Sequence, residues 1–204
     1  MTAPQESQCV YVVDDDEAVR DAMAMLLDSA DLEHRCFASA DAFLQHAEQA
    51  RRGCLVLDIR MPGTGGLELQ QRLCDLGSTL PILFLTGHGD VPMAVEAMRQ
   101  GAFDFLRKPV NETDFLERIQ QALDLEAGDW RERQDLEDLR ARVETLTERE
   151  HEVFECVARG IANKAIAGEL GISERTVEVH RAQVMKKLGA RTLADLVRIH
   201  LQTE

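Results

Sequence analysis

The sequence predicts an α/β chain: a five-stranded, doubly wound parallel sheet, followed by a helical linker and a small four-helix domain. Three observations carry this expectation. Short apolar runs alternate five times with longer amphipathic ones over residues 1–125, as in βα units that lay helices on both faces of a parallel sheet. A stretch rich in Glu, Asp and Arg and free of Pro then occupies residues 126–144. The remainder, 145–204, reads as helices broken at Gly160, Gly171 and Gly189, where glycine can adopt the left-handed geometry that ends a helix. With 204 residues, 45% of them hydrophobic, the chain can bury one ordinary core and a second small one.

In chain order, the strands are expected at Cys9 to Val13, His34 to Phe37, Cys54 to Asp58, Ile82 to Thr86 and Phe103 to Arg107. Helices are expected near Glu17 to Ser29, Ala40 to Ala50, Leu67 to Leu76, Val91 to Gln100 and Glu112 to Leu125, punctuated by Gly53, Gly77-Ser78, Gly101 and Pro109. In the linker, Leu136, Leu139, Val143 and Leu146 are spaced by three, four and three. That is a heptad-like seam, open to two readings: a solvated helix with one apolar stripe, or a dimerising helix. Thr147 and Glu150 then form a capping box that starts a new helix and a new domain. Further helices are expected at Lys164 to Leu170, Glu174 to Leu188 and Leu193 to Leu201.

The net charge of −14 is unevenly spread. Residues 1–146 carry 28 Asp+Glu against 14 Lys+Arg, whereas 159–198 carry 8 basic residues against 4 acidic ones. Only the end of the chain is thus suited to approach phosphates. Cys9, Cys36, Cys54, Cys74 and Cys156 are scattered and form no C-x-x-C pair, so the expectation is reduced, mostly buried thiols rather than a disulfide framework or zinc site. No apolar run approaches the roughly 18 to 20 residues that span a bilayer, and Met1 to Gln8 lacks a signal-peptide pattern. A cytoplasmic protein without membrane contact is expected.

Strand ends of an open parallel sheet meet ligands in the crevice at the carboxyl edge, where strand order reverses. Asp14 and Asp15 would end the first strand, Asp58 the third and Thr86 the fourth, with Lys108 after the fifth. Three converging carboxylates repel unless a cation sits among them, and hard, oxygen-seeking Mg²⁺ (or Mn²⁺) meets that need. Lys108 is the only lysine in residues 1–146, among thirteen arginines. Its compact ammonium acts as a point charge on carboxylate or phosphoryl oxygen, and Pro109 permits a cis peptide after it.

In this order and at these strand ends, VVDDD, LVLDIRMPGTGG, LFLTGHGD and FDFLRKP resemble the receiver domains of two-component response regulators, over about residues 8–125. The resemblance implies that Asp58 attacks the phosphohistidine of a sensor histidine kinase. It also implies that Asp15, Asp58 and the backbone carbonyl of Arg60 hold the metal, with Asp14 acting through water, and that Lys108 and Thr86 grip the phosphoryl oxygens. Phe105 matches the aromatic switch position, its ring turning inward as Thr86 moves; an ordinary core aromatic is the alternative. His88 could tune attack by water on the acyl phosphate or simply be solvated. Charge added at Asp58 would bias the Val91 to Gln100 helix, the last strand and the final receiver helix.

If Glu174 to Leu188 is one helix, Val177, His180, Val184 and Leu188 share a core-facing side. Opposite them lie Arg175, Val179, Ala182 and Lys186, flanked by Glu178 and Gln183. An exposed valine and alanine among basic residues suit a helix in a major groove, where Glu178 can accept from cytosine and Gln183 can pair with adenine. Phosphate contacts are expected from Lys164, Arg175, Arg181 and Lys186 and from helix starts near Asn163 and Ser173, with Thr176 beside them. Residues Leu146 to Val197 resemble the LuxR-type helix-turn-helix domain, and the whole is similar to the NarL/FixJ class of regulators, its FixJ-like branch above all. That resemblance implies double-stranded DNA, RNA polymerase and, on phosphorylation, a second copy of the chain as partners.

Two rival classes share parts of this pattern. Phosphatases of the haloacid dehalogenase type also use an aspartate, Mg²⁺, a threonine and a lysine, but open an Asp-x-Asp motif after the first strand. Here Asp58 follows the third and precedes Ile59 and Arg60. A phosphorylation-independent adaptor would bind protein, not DNA, and would lack salt-dependent DNA binding.

Overall fold

The computed structural model describes residues 7–46, 50, 52–87 and 91–203. The chain divides into two compact units, Met1–Asp129 and Trp130–Glu204. In the first, strands β1 (Cys9–Val13), β2 (His34–Phe37), β3 (Gly53–Asp58), β4 (Ile82–Thr86) and β5 (Asp104–Arg107) form one sheet in the order β2-β1-β3-β4-β5, with every pairing parallel. β1, β3 and β4 are buried along their whole length, as their near-continuous apolar sequences require. The edge strands β2 and β5 are only half-buried. Strand direction of growth reverses between β1 and β3, which opens the carboxyl-edge crevice there.

Alternation along each strand divides the apolar residues between two cores. Val10, Val12, Cys54, Val56, Leu83 and Leu85 face α1 (Glu17–Ser29) and the start of α5 (Glu112–Glu144), through Met23, Leu27, Phe115 and Ile119. Tyr11, Val13, Leu55, Leu57 and Phe84 face α2 (Ala40–Leu44), α3 (Gly66–Asp75) and α4 (Val91–Arg99), through Phe43, Leu69, Leu73, Ala94 and Ala97. Gly53 starts β3 at φ +120, where a Cβ would lie 1.8 Å from the Cys9 carbonyl oxygen, so only glycine lets β1 and β3 pair this closely.

The second unit contains α6 (Glu148–Ala158), α7 (Asn163–Leu170), α8 (Glu174–Leu188) and α9 (Leu193–Thr203) around Val153, Phe154, Ile166, Val177, Val184, Leu188 and Leu196. The Thr147–Glu150 capping box forms with both of its hydrogen bonds. Helices α7 and α8 end at left-handed Gly171 and Gly189.

Two elements depart from the sequence expectation. α2 stops at Leu44 rather than running to Ala50, because His46 N–H turns back to the Phe43 carbonyl at 2.8 Å and its ring packs 5.5 Å from Phe37 and 6.2 Å from Tyr11. Residues 47–49 of that expected helix lie outside the described residues, as does His88. The expected linker is helical but continues the last helix of the first unit without a break, so that α5 is one helix of 33 residues. Of its seam, Leu139 and Val143, together with Leu146 just beyond the helix, pack on the core of the second unit. These three residues form an apolar stripe packed within the chain. The cysteines are all free, with Cys9, Cys54 and Cys156 buried but Cys36 and Cys74 exposed.

At the amino edge of the sheet, Glu126 is only 3% exposed and still has its charge matched. Arg52 reaches both of its oxygens, at 3.0 and 3.2 Å, and Gln8 Nε2 donates to it at 2.6 Å. A buried carboxylate without its cation is costly, whereas replacing both partners by apolar groups is tolerated far better. Arg52→Ala should therefore lower unfolding free energy by about 3 kcal/mol in urea titration, and Arg52→Met with Glu126→Leu should recover most of that loss.

Candidate functional site

Asp14 and Asp15 follow β1, and Asp58 ends β3, beside the point where strand order reverses. The three carboxylates each bring an oxygen within 4.8 Å of the others. Asp14 is fully buried, Asp58 is 8% exposed and Asp15 faces solvent. From the loop after β5, Lys108 Nζ lies 2.6 Å from Asp14 Oδ2 and 3.0 Å from Asp58 Oδ2. The peptide that follows it, Lys108–Pro109, is cis. Asp16 N–H donates to Asp14 Oδ1 at 3.0 Å, and Arg60 N–H donates to Asp58 Oδ1 at 3.4 Å. The fold thus gathers Asp14, Asp15, Asp58 and Lys108 as expected, with Arg60 directly beside Asp58.

Burial pushes the Asp58 carboxyl above the ordinary aspartate range; hydrogen bonding to Lys108 pulls it back without cancelling that effect. Burial also works against the charge on Lys108, but its hydrogen bonds to Asp14 and Asp58 outweigh this, and the ammonium holds its proton more tightly than a free lysine. Three oxygen donors this close, one of them open to solvent, fit a hard divalent cation, which would relieve the same repulsion.

Thr86 is 3% exposed, and its hydroxyl donates to the Leu106 carbonyl at 3.2 Å, toward β5. Its own carbonyl accepts from Lys108 N–H at 2.8 Å, so β4 and the lysine loop are tied through one residue. Phe105, opposite Phe84 in the β4–β5 register, is 38% exposed. It is therefore no ordinary core aromatic.

In the second unit, α8 presents the face that its spacing predicts. Val177, Val184 and Leu188 are buried, His180 is half-buried, and Arg175, Glu178, Val179, Ala182, Gln183 and Lys186 are exposed. Val179 is 54% exposed, an unusual position for a valine on a solvated helix. Ser173 caps α8 by accepting from Thr176 N–H at 3.1 Å, and the two hydroxyls lie 2.8 Å apart. Lys164 is exposed on α7. Half-buried Arg181 donates to Asn163 Oδ1 at 3.3 Å, so this expected phosphate-contact pair also ties α8 to the start of α7.

Sequence reasoning missed two residues. Arg20 reaches back from α1 to the Asp14 carbonyl at 2.7 Å, and nothing in an isolated arginine signals this. Lys187, next to Lys186, turns away from the exposed face. Its Nζ lies 2.6 Å from Glu150 Oε2 and 2.9 Å from the Thr145 carbonyl, so it braces α8 against the α6 cap. The capping box named Glu150, but not the cation across from it.

Lys187 and the Thr147 amide hold Glu150 below the usual glutamate range. A depressed folded-state value means stability that is present above the unfolded value of 4.5 and lost as pH falls through the folded one. Glu150→Gln should accordingly flatten the acid-side decline of the second unit's melting temperature. Lys187→Met should lower that temperature at neutral pH yet leave the salt slope of any DNA binding unchanged, as scanning calorimetry and salt titration would show.

Residues 10–120 match the response regulator receiver domain, and residues 144–200 match the luxR family of bacterial regulatory proteins. The chain is 46% identical to the response regulator protein TmoT of Ectopseudomonas mendocina over 195 residues, covering 96% of this chain and 88% of that one. It is 47% identical to the transcriptional regulatory protein FixJ of Rhizobium meliloti over 192 residues, 94% of each. Among solved structures, it resembles the response regulator StyR with a TM-score of 0.87 at 46% identity, covering 97% of this chain and 100% of that one. Full-length FixJ from B. japonicum matches with a TM-score of 0.60 at 44% identity, over 96% and 97% of the two chains. With carboxylates gathered at the sheet edge of its first unit and a helix-turn-helix in its second, the chain belongs to the two-component response regulators, as a transcriptional regulator that joins a receiver domain to a LuxR-type DNA-binding domain.

Proposed function

We propose that Asp58 is the phosphoacceptor and that its phosphorylation controls dimerisation and sequence-specific DNA binding. The convergence of Asp14, Asp15, Asp58 and Lys108 carries this reading. A carboxylate oxygen of Asp58 attacks the phosphorus of a phosphohistidine; the P–N bond breaks, an acyl phosphate forms and the imidazole leaves. Asp15, Asp58 and the Arg60 carbonyl would hold Mg²⁺ or Mn²⁺, with Asp14 contributing through water. When bound, the ion neutralises charge growing on the phosphoryl oxygens. Lys108 moves its ammonium from Asp58 to the phosphoryl group, and the Thr86 hydroxyl leaves the Leu106 carbonyl to join it. Phe105, released from its exposed position, turns inward.

The donor is a sensor histidine kinase. Beside Lys108 and Pro109, an apolar groove of about 760 Å³ is lined from α1 by Val19, Ala22, Met25 and Leu26. It adjoins the pocket that a kinase histidine must enter, and Met25 is 73% exposed there. Val95 and Met98 on α4, together with Phe105, leave an apolar surface that suits a second phosphorylated copy. The domains are a receiver at 1–125, a linker at 126–144 and a DNA-binding domain at 145–204. The α8 face, with Arg175, Thr176, Glu178, Val179, Arg181, Ala182, Gln183 and Lys186, enters the major groove; Asn163, Lys164 and Ser173 meet the backbone. RNA polymerase is the downstream partner, and the chain acts in the cytoplasm. Among the described residues, no helix is long and apolar enough to cross a membrane.

Phosphoryl uptake from acetyl phosphate should need Mg²⁺ and vanish in Asp58→Asn; full labelling of that variant refutes the assignment. On DNA, Lys186→Ala should weaken binding to all sequences and lower the salt slope by about one. Glu178→Ala should instead alter base preference at one position, and equal loss on every sequence for both variants removes the division between backbone and base contacts.

A further inference from the structure

We infer that Arg20 is a positioning residue for the metal site, acting on Asp15 through the Asp14 carbonyl; the inference rests on the receiver chemistry proposed above. Asp15 is the solvent-facing member of the carboxylate trio, and among the described residues no hydrogen bond or ion pair holds its side chain. Its placement comes from the backbone on either side. The last sheet contact of this segment is Asp14 N–H to the Phe37 carbonyl at 3.2 Å, so the sheet itself stops one residue short of Asp15. Beyond that point two hydrogen bonds take over. Asp16 N–H donates to Asp14 Oδ1 at 3.0 Å, which fixes the peptide after Asp15. Arg20 Nη1 donates to the Asp14 carbonyl at 2.7 Å, which fixes the peptide before it.

Arg20 is well built for this task. It stands in the first turn of α1, where its own N–H bonds the Asp16 carbonyl at 3.1 Å, so its base is rigid. Asp16 caps the same helix by accepting from Ala18 N–H at 2.9 Å. The segment Asp14 to Arg20 is thereby closed on itself by the guanidinium.

The guanidinium's charge opposes this effect, because a fixed cation near the site repels a divalent ion. Arg20 Nη1 is bound at the Asp14 carbonyl, and Asp14 N–H bonds the Phe37 carbonyl of β2. Asp58 lies on the other side of β1, at the end of β3. The hydrogen bond acts directly on the Asp15 peptide, and geometry is therefore the larger effect.

The test is Mn²⁺ binding to the full-length unphosphorylated chain, followed by electron paramagnetic resonance, beside phosphorylation by acetyl phosphate. Arg20→Met and Arg20→Gln both keep a good helix former but cannot reach the carbonyl with a cation. Each should bind Mn²⁺ about 10-fold more weakly, the scale of loss for an outer-shell partner of a metal ligand. Arg20→Lys, long enough to donate to the same carbonyl, should bind within about two-fold of wild type, and the phosphorylation rate of every variant at saturating Mg²⁺ should stay within about two-fold. Wild-type or tighter Mn²⁺ binding by the Met or Gln variant, whichever folds, overturns the inference. A wild-type chain that takes no Mn²⁺ overturns the metal site itself and the role of Arg20 with it, a result distinct from a failure confined to the variants.

Discussion

Lys108 is shared between Asp14 and Asp58, and much of the receiver unit is organised around that one ammonium. β1 and β3 deliver two carboxylates into a largely buried crevice, where their repulsion would oppose folding. The lysine arrives from a third place, the loop after β5, and is tied to β4 through the Thr86 carbonyl. Three strand ends are thereby joined by electrostatics as well as by the sheet ladder. Whatever changes the charge at Asp58 changes the demand on this lysine, and with it the Thr86 and β5 end of the unit. Further along, Gln70 on α3 donates to the Ala97 and Gln100 carbonyls near the end of α4. The helix most exposed to the proposed switch is thus also anchored, and an anchored element can hold two discrete arrangements rather than drift between them.

The second unit solves a different problem. A chain of net charge −14 repels DNA as a whole. Concentrating acidic residues in the first unit leaves the second with a locally basic segment around α7 and α8, and physiological salt screens surface charges over about 8 Å. The proposed recognition helix, α8, then needs rigidity, because base readout depends on position. Lys187 supplies part of it by bridging α8 to the Glu150 cap of α6, and Arg181 supplies more through Asn163. Basic residues on one helix have been divided between bracing and display: Lys187 faces inward, while Arg175 and Lys186 face out.

Alternating apolar runs and their punctuation were enough to anticipate the five strands, because short apolar runs bounded by turn residues and followed by amphipathic stretches leave few other choices. The C-terminal helices followed from the capping box and the glycines, which are local signals. Asp14, Asp15, Asp58, Thr86 and Lys108 were legible because strand ends at a carboxyl edge must converge once the topology is known. The helix after Ala40 was overextended, since periodicity alone cannot register the ring packing of His46 on Phe37 and Tyr11.

By itself, then, the sequence determined the order of elements, the acidic edge and the apolar and polar faces of α8, all of which rest on spacing along the chain. Only the tertiary structure decided which partner each side chain takes. Arg20 closing on the Asp14 carbonyl, Arg52 neutralising Glu126 at 74 residues' distance, Lys187 choosing Glu150 over solvent, and the linker seam packing into its own domain core are contacts between segments far apart or turned back on themselves. Charge and hydrophobicity specify that a partner is needed; distance in the folded chain specifies which one it is.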